Sequence, residues 1–164
     1  MPVTDITTNS DDRSIVVTCD FPAPVSRIWE FWTDPRQLER WFGPPGYPLT
    51  VTEHDLRAGG RVTYYMTSPE GKKFGGYWDV RSVEPTSRLA YVDGFADAEG
   101  NAAEGMPLGD TVVDFIEHDG GTRVSSTTVY GSAEDLQKVL DMGMAEGLTQ
   151  AVGQLDAALV ADAA

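Results

Sequence analysis

The sequence predicts an α+β fold: a curved antiparallel sheet of about seven strands wrapped around one long C-terminal helix, with two short helices between the first and second strands. Three observations carry this reading. Six strand-like segments follow one another from Pro48 to Tyr130, separated by short turn signals, which implies an antiparallel meander. Leu136, Leu140, Met144, Leu148, Val152, Leu155 and Leu159 then recur every three or four residues, the period of an amphipathic helix. Two helix-start signals lie between the first strand and the meander. A chain of 164 residues with 41% hydrophobic content is one domain with room for a proper core.

Residues 1–12 (MPVTDITTNSDD) are polar and turn-rich and read as a flexible N-terminal tail, with the domain spanning 13–161. Ser14 to Phe21 is β-branched and reads as the first strand, stopped by Pro22 and Pro24. Val25 to Thr33 places Val25, Ile28, Trp29 and Trp32 at helical spacing. Asp34-Pro35-Arg36-Gln37 opens a second helix, with Asp34 as N-cap, Pro35 in the first turn and Gln37 returning a capping-box bond. That helix carries Leu38, Trp41 and Phe42 and stops at Gly43-Pro44-Pro45-Gly46. The meander follows as Pro48–Leu56, Arg61–Thr67, Phe74–Val83, Arg88–Phe95, Asp110–Glu117 and Thr122–Tyr130. Gly75 and Gly76 suggest a bulge or bend. His118-Asp119-Gly120-Gly121 is a hairpin signal. Ser132 and Asp135 cap a final helix of about 28 residues, roughly 42 Å long.

Acids outnumber bases 26 to 12, for a net charge of −14. This excludes a nucleic-acid surface, which needs clustered Lys and Arg, and docking on an anionic membrane. The acids are uneven: between Leu89 and Thr122 there are eight (Asp93, Asp97, Glu99, Glu104, Asp110, Asp114, Glu117, Asp119) and no Lys or Arg. Cys19 is the only cysteine, so no internal disulfide forms, and a thiol in a strand reads as a small buried hydrophobe. No signal peptide or membrane span is visible, so a cytoplasmic protein is expected. His54 and His118 are the only histidines, and Glu53-His54-Asp55 alternate across a strand, so no metal site is expected. Phosphate-cradling glycine motifs and the nucleophile elbow are absent, and no cofactor is expected.

Four local motifs bring a family into view. Phe21-Pro22-Ala23-Pro24-Val25-Ser26-Arg27-Ile28-Trp29 resembles an "APxxxVW" strand-to-helix opening. Trp32-Thr33-Asp34-Pro35 followed by Trp41-Phe42-Gly43-Pro44 resembles the signature "WTDPxxLxxWxGP". Gly59-Gly60-Arg61 resembles a "GGxF" step, and Gly120-Gly121-Thr122-Arg123-Val124 resembles a "GGTRL" hairpin. Together, over residues 13 to 160, they resemble the START-like (SRPBCC, Bet v-like helix-grip) superfamily, and within it the group named after the activator of heat-shock protein 90 ATPase. One departure is Gly147-Leu148, where a Gly-aromatic step is usual. The resemblance implies a cavity between the concave sheet and the long helix, and binding of lipids, steroids, polyketides or other apolar molecules. Co-chaperone activity belongs to multi-domain eukaryotic members with an extra N-terminal domain and is not expected here.

On that fold, Tyr64, Met66, Trp78, Phe115, Met142 and Met144 come from strands and a helix that face each other. Trp32, Tyr91 and Leu148 join them as candidate ligand-binding residues. Ser126 and Thr128 share a face with Val124 and Tyr130, and if that face points inward the wall is part polar. Asp93 shares a face with Leu89, Tyr91 and Phe95, an unusual place for an acid, and is the candidate general base should the cavity carry chemistry. Gly143 and Gly147, four apart on the helix, suggest close backbone approach, room for a ligand, or a homodimer contact. Three functions compete. The first is a carrier or sensor of a small apolar or amphipathic molecule. The second is a cyclase- or dehydratase-like enzyme using the same cavity. The third is a protein-interaction or stress-response module docking through the acidic loop 96–109. The placement of the acids predicts an acidic neighbourhood that favours neutral or cationic ligands over anionic ones.

Overall fold

The computed structural model describes residues 3–97 and 99–163. Residues 1 and 2 of the expected tail and residue 98 of the acidic loop lie outside the described residues. The elements run β1 (Val3–Asn9), β2 (Ser14–Phe21), α1 (Val25–Thr33), α2 (Pro35–Leu38), β3 (Leu49–His54), β4 (Arg61–Thr67), β5 (Lys73–Glu84), β6 (Arg88–Ala96), β7 (Gly109–His118), β8 (Gly121–Tyr130), α3 (Ala133–Asp141) and α4 (Met144–Ala163). All strands join one antiparallel sheet in the order β1-β2-β8-β7-β6-β5-β4-β3. The curved sheet and closing C-terminal helix are the expected helix-grip arrangement.

Four details correct the sequence reading. The tail expected over residues 1–12 contains β1, which pairs with β2 with Ile6 opposite Val17 and Asn9 opposite Ser14. Only Val3 and Ile6 of this strand pack against the core, so it lacks the apolar alternation that announces a half-buried strand. The C-terminal helix is two helices. Ser132 accepts from the Asp135 N–H at 3.0 Å and starts α3 as expected, but Gly143 takes a φ of +84°. Its N–H bonds the Leu140 carbonyl at 3.0 Å, a left-handed cap that ends α3. The bulge expected at Gly75 and Gly76 lies instead between Val80 and Ser82, and both glycines stay in regular register with β4. Gln37 does not close a capping box. Asp34 accepts from the Arg36 N–H as expected, but its own N–H bonds the Glu30 carbonyl, and Gln37 accepts from Arg40 at 2.8 Å.

α4 buries Ala151, Val152, Leu155 and Ala158. Two ties hold it down. Gln154 Nε2 donates to the carbonyls of Trp41 and Gly43. Near the C-terminus Asp162 pairs with Arg27 and Arg40 of the α1–α2 region. At this end the space is solid. Trp32 packs on Trp41 with centroids 4.5 Å apart and on Phe115 at 5.3 Å, and Trp41 Nε1 donates to the Phe31 carbonyl at 2.8 Å.

Cross-strand ion pairs occupy the outer side of the sheet. Arg123 meets Asp20 at 2.8 Å, Arg61 meets Asp79 at 2.7 Å and Arg88 meets Asp114 at 2.7 Å. Partly exposed pairs of this kind contribute about 0.2–1 kcal/mol each. They change the picture of the acidic run. Asp114 is matched by Arg88 of β6, and Asp110 pairs with Arg81 of β5, two strands away, at 3.0 Å. Cys19 is buried, and burial pushes its thiol up to about 12, leaving it unreactive.

Candidate ligand-binding site

Beyond the solid end the sheet and the C-terminal helices part around a cavity of about 650 Å³. That volume lies within the range of small-molecule sites, roughly 300–1,000 Å³. Strand alternation decides what the sheet offers. On β4 Tyr64 and Met66 point inward, on β6 Tyr91 and Asp93, and on β8 Ser126, Thr128 and Tyr130. The inward face of β8 is therefore the hydroxyl-bearing set. Its partner face carries Arg123, which is tied to Asp20 outside. The opposite wall is helical: Val139 and Met142 from the end of α3, then Met144, Gly147, Leu148 and Ala151 from α4. Phe42 closes one side, and the loop after β6 supplies Ala103, Met106 and Pro107. Exposed Phe74 and Met142 mark where the cavity meets solvent.

Eight of the eleven expected ligand-binding residues line this cavity: Tyr64, Met66, Tyr91, Ser126, Thr128, Met142, Met144 and Leu148. Trp32, Trp78 and Phe115 do not. Trp32 and Phe115 belong to the solid end, and Trp78 is fully buried, stacked on Tyr91 with centroids 4.2 Å apart. Their inward facing was legible, but their depth was not, because Trp29 and Trp32 of α1 pack onto Phe115 and fill the space there. Phe42 and Tyr130 line the cavity without having been candidates; Tyr130 could have been found, since it shares the face of Ser126 and Thr128.

Gly76 explains the posture of Tyr64. A Cβ at residue 76 would sit 2.6 Å from the Tyr64 ring, so the ring lies across β5 in space only glycine leaves free. Gly147 is the opposite case. It lies within α4, and a Cβ there would meet nothing within 4 Å. The Gly147→Leu variant is therefore expected to gain about 1 kcal/mol of stability from helix propensity while filling part of the cavity. Binding of an apolar probe should weaken at least tenfold, measured by thermal melting and by fluorescence titration of the same sample.

Asp93 is the one carboxylate deep in the cavity. It is partly buried and lines the cavity, and the surrounding protein pushes its carboxyl up to about 7 by desolvation. The Tyr64 hydroxyl opposes that rise slightly, donating to Asp93 Oδ1 across a long 3.4 Å. Burial, and then the nearby Asp93 charge, hold the Tyr64, Tyr91 and Tyr130 phenols protonated. Trp78 Nε1 is turned toward the Tyr64 hydroxyl but is buried without a hydrogen-bond partner. On β7 and β8 the Thr111 and Thr128 hydroxyls pair with each other at 3.0 Å. The remaining lining charges are Asp97 and Lys73. The acidic character of the cavity thus reduces to Asp93 at its floor and a mixed rim.

Among the described residues no group of three His, Cys, Asp or Glu is gathered as a metal site. No helix of the described residues is long and apolar enough to cross a membrane.

Residues 22–160 match the family model described as activator of Hsp90 ATPase homolog 1-like protein. Among solved structures, protein Ms6760 from Mycobacterium smegmatis is similar at 49% identity and a TM-score of 0.90, over 96% of this chain and 97% of that one. A protein from Arthrobacter aurescens is 37% identical with a TM-score of 0.91, over 96% and 92%. One from Rhodobacter sphaeroides is 25% identical with a TM-score of 0.82, over 96% and 98%. No curated protein matches the chain.

Proposed function

Since the chain belongs to the activator of Hsp90 ATPase homolog 1-like family, within the START-like (SRPBCC) superfamily, we propose that it binds a small apolar or amphipathic molecule, neutral or cationic, between the sheet and the C-terminal helices. It would act in the cytoplasm as a carrier or sensor. The observation that carries the reading is the cavity of about 650 Å³, apolar on its helical side and polar at a few floor positions and at its rim. Apolar burial supplies affinity in such a site, and a few fixed polar groups set orientation. Methionines on the helical wall adapt to irregular shapes.

The neutral dye Nile red tests this. Saturable one-site binding with a Kd on the order of micromolar is expected, about −8 kcal/mol. Fluorescence that rises linearly, without saturation at equimolar dye and protein, would refute the proposal.

A specific observation favours a second reading. The carboxyl of Asp93 is poised near pH 7 beside the Tyr64 hydroxyl, where a general base for a cyclase- or dehydratase-like reaction works best. The docking-loop reading gains no such support. Asp97 accepts from the Glu99 and Asn101 N–H groups, and Ala103 N–H bonds the Phe95 carbonyl. These bonds fold the loop onto β6 as a wall of the cavity.

A further inference from the structure

The polar floor specifies what the ligand must bring, granted the ligand-binding reading above. A carboxylate offers about four lone-pair sites. Asp93 has one hydrogen bond, the long one from Tyr64, and it takes part in none of the ion pairs among the described residues. The groups facing it are phenols: Tyr64 from β4, Tyr91 from β6 and Tyr130 from β8. The cavity wall formed by α3 and α4 presents no ionisable side chain, and Lys138 of α3 lies instead against Met106 Sδ at 3.9 Å. Lys73 is five residues along β5 from Trp78, the register partner of Asp93, or about 16 Å away along the strand. Asp97, the other lining acid, lies beyond the end of β6.

A buried carboxylate without a countercharge is costly unless something pairs with it. Clustered aromatic rings are the other half of a cation site, since their faces attract positive charge. Anionic heads would be repelled by Asp93, and a wholly apolar ligand would leave it unmatched. We propose that the cavity takes a cationic amphiphile, its ammonium head seated between the Asp93 carboxylate and the rings of Tyr64, Tyr91 and Tyr130, and its apolar body lying against Met66, Met144 and Leu148 toward the mouth.

Such a ligand binds the ionised form of Asp93, so uptake below neutrality displaces a proton and affinity rises with pH. With the free carboxyl titrating at about 7, affinity falls about tenfold per unit below that point, close to 100-fold between pH 8 and pH 5. Matched ten-carbon probes separate the outcomes: decyltrimethylammonium, whose charge is fixed, decanol and decanoate, each titrated calorimetrically at pH 5 and pH 8. The ammonium is expected to bind at least tenfold tighter than decanol at pH 8, with the 100-fold loss at pH 5. Asp93→Asn should abolish that pH dependence while decanol still binds.

Equal affinities with a flat pH profile would overturn the inference and leave the cavity reading standing. So would decanol binding that weakens above pH 7 with no preference for the ammonium, since Asp93 would then be a protonated donor to a neutral ligand. Failure of all three probes at both pH values would overturn this inference and the cavity reading together. The unmodified protein alone supplies the pH comparison, so the test does not depend on the variant folding.

Discussion

Asp93→Asn is expected to melt at a higher temperature than the unmodified protein at pH 8 and at the same temperature near pH 3.5. The folded protein holds the Asp93 proton up to about pH 7, well above the ordinary carboxylate value of 3.8. Between those values the folded state binds more protons than the unfolded state. The contribution of Asp93 is therefore least unfavourable when the carboxyl is protonated in both states, and stability is lost as pH rises through about 4 to 7. Above 7 the penalty levels off. At 1.36 kcal/mol per pKa unit it amounts to at most about 4 kcal/mol, and solvent screening of the partly accessible carboxyl lowers it. At about 2–4 °C per kcal/mol for a chain of this size, the variant should gain at most about 8–16 °C at pH 8. Thermal melts of both proteins across pH 3.5–8 check this. Parallel curves would mean that the carboxyl is solvated as in water. A destabilising penalty retained at such a position is what a ligand-facing charge requires, and the ammonium proposal accounts for it.

Trp41→Ala should cost about 5 kcal/mol, the largest loss expected from any single side chain discussed. Trp41 is 1% exposed and touches Trp32 and Phe42 at centroid distances of 4.5 and 5.3 Å. Its truncation leaves a large void, worth about 3–5 kcal/mol. It also strands the Phe31 carbonyl that Trp41 Nε1 satisfies at 2.8 Å, a further 1–3 kcal/mol. The site cannot collapse easily, because Gln154 of α4 donates to the Trp41 carbonyl and fixes the helix above it. Trp41→Phe should cost about half as much. Urea denaturation would measure both, and a loss under about 2 kcal/mol for the alanine variant would show that the surrounding rings close the void. Against a typical total of 5–15 kcal/mol, the alanine variant sits near the limit of folding.

The sequence and the structure agree most closely where side-chain period is strongest. Arg61–Thr67 was readable from Val62, Tyr64 and Met66 alone, and its bounds are those of β4. The oddness of Asp93 was visible for the same reason, as an acid on a face otherwise apolar. Features set by depth or backbone conformation were not visible. Helical spacing continues through Met144 whether or not the backbone turns left-handed at Gly143, so the break between α3 and α4 left no trace in the apolar pattern. Trp32 and Phe115 face inward like the cavity residues, and only the packing of α1 onto β7, with Trp32 between Trp41 and Phe115, shows that they belong to the solid end. Which inward face β8 presents depended on register, which the pairing of Ser126 with Val17 and Val113 decides. The acidic run could be counted but not assigned, because the arginines that match Asp110 and Asp114 come from other strands, β5 and β6.

The short first strand has a consequence for how the protein behaves in a crowded solution. β2 carries Ile15, Val16, Val17, Cys19 and Phe21 within eight residues, a segment whose bare backbone would template strand addition from other chains. β1 occupies those backbone groups and offers in their place an outermost strand of Thr4, Asp5, Thr7, Thr8 and Asn9. A charged, hydroxyl-rich border is a poor partner for a further strand. The seven residues that looked like a loose tail thus convert the most aggregation-prone margin of the sheet into one that resists self-association.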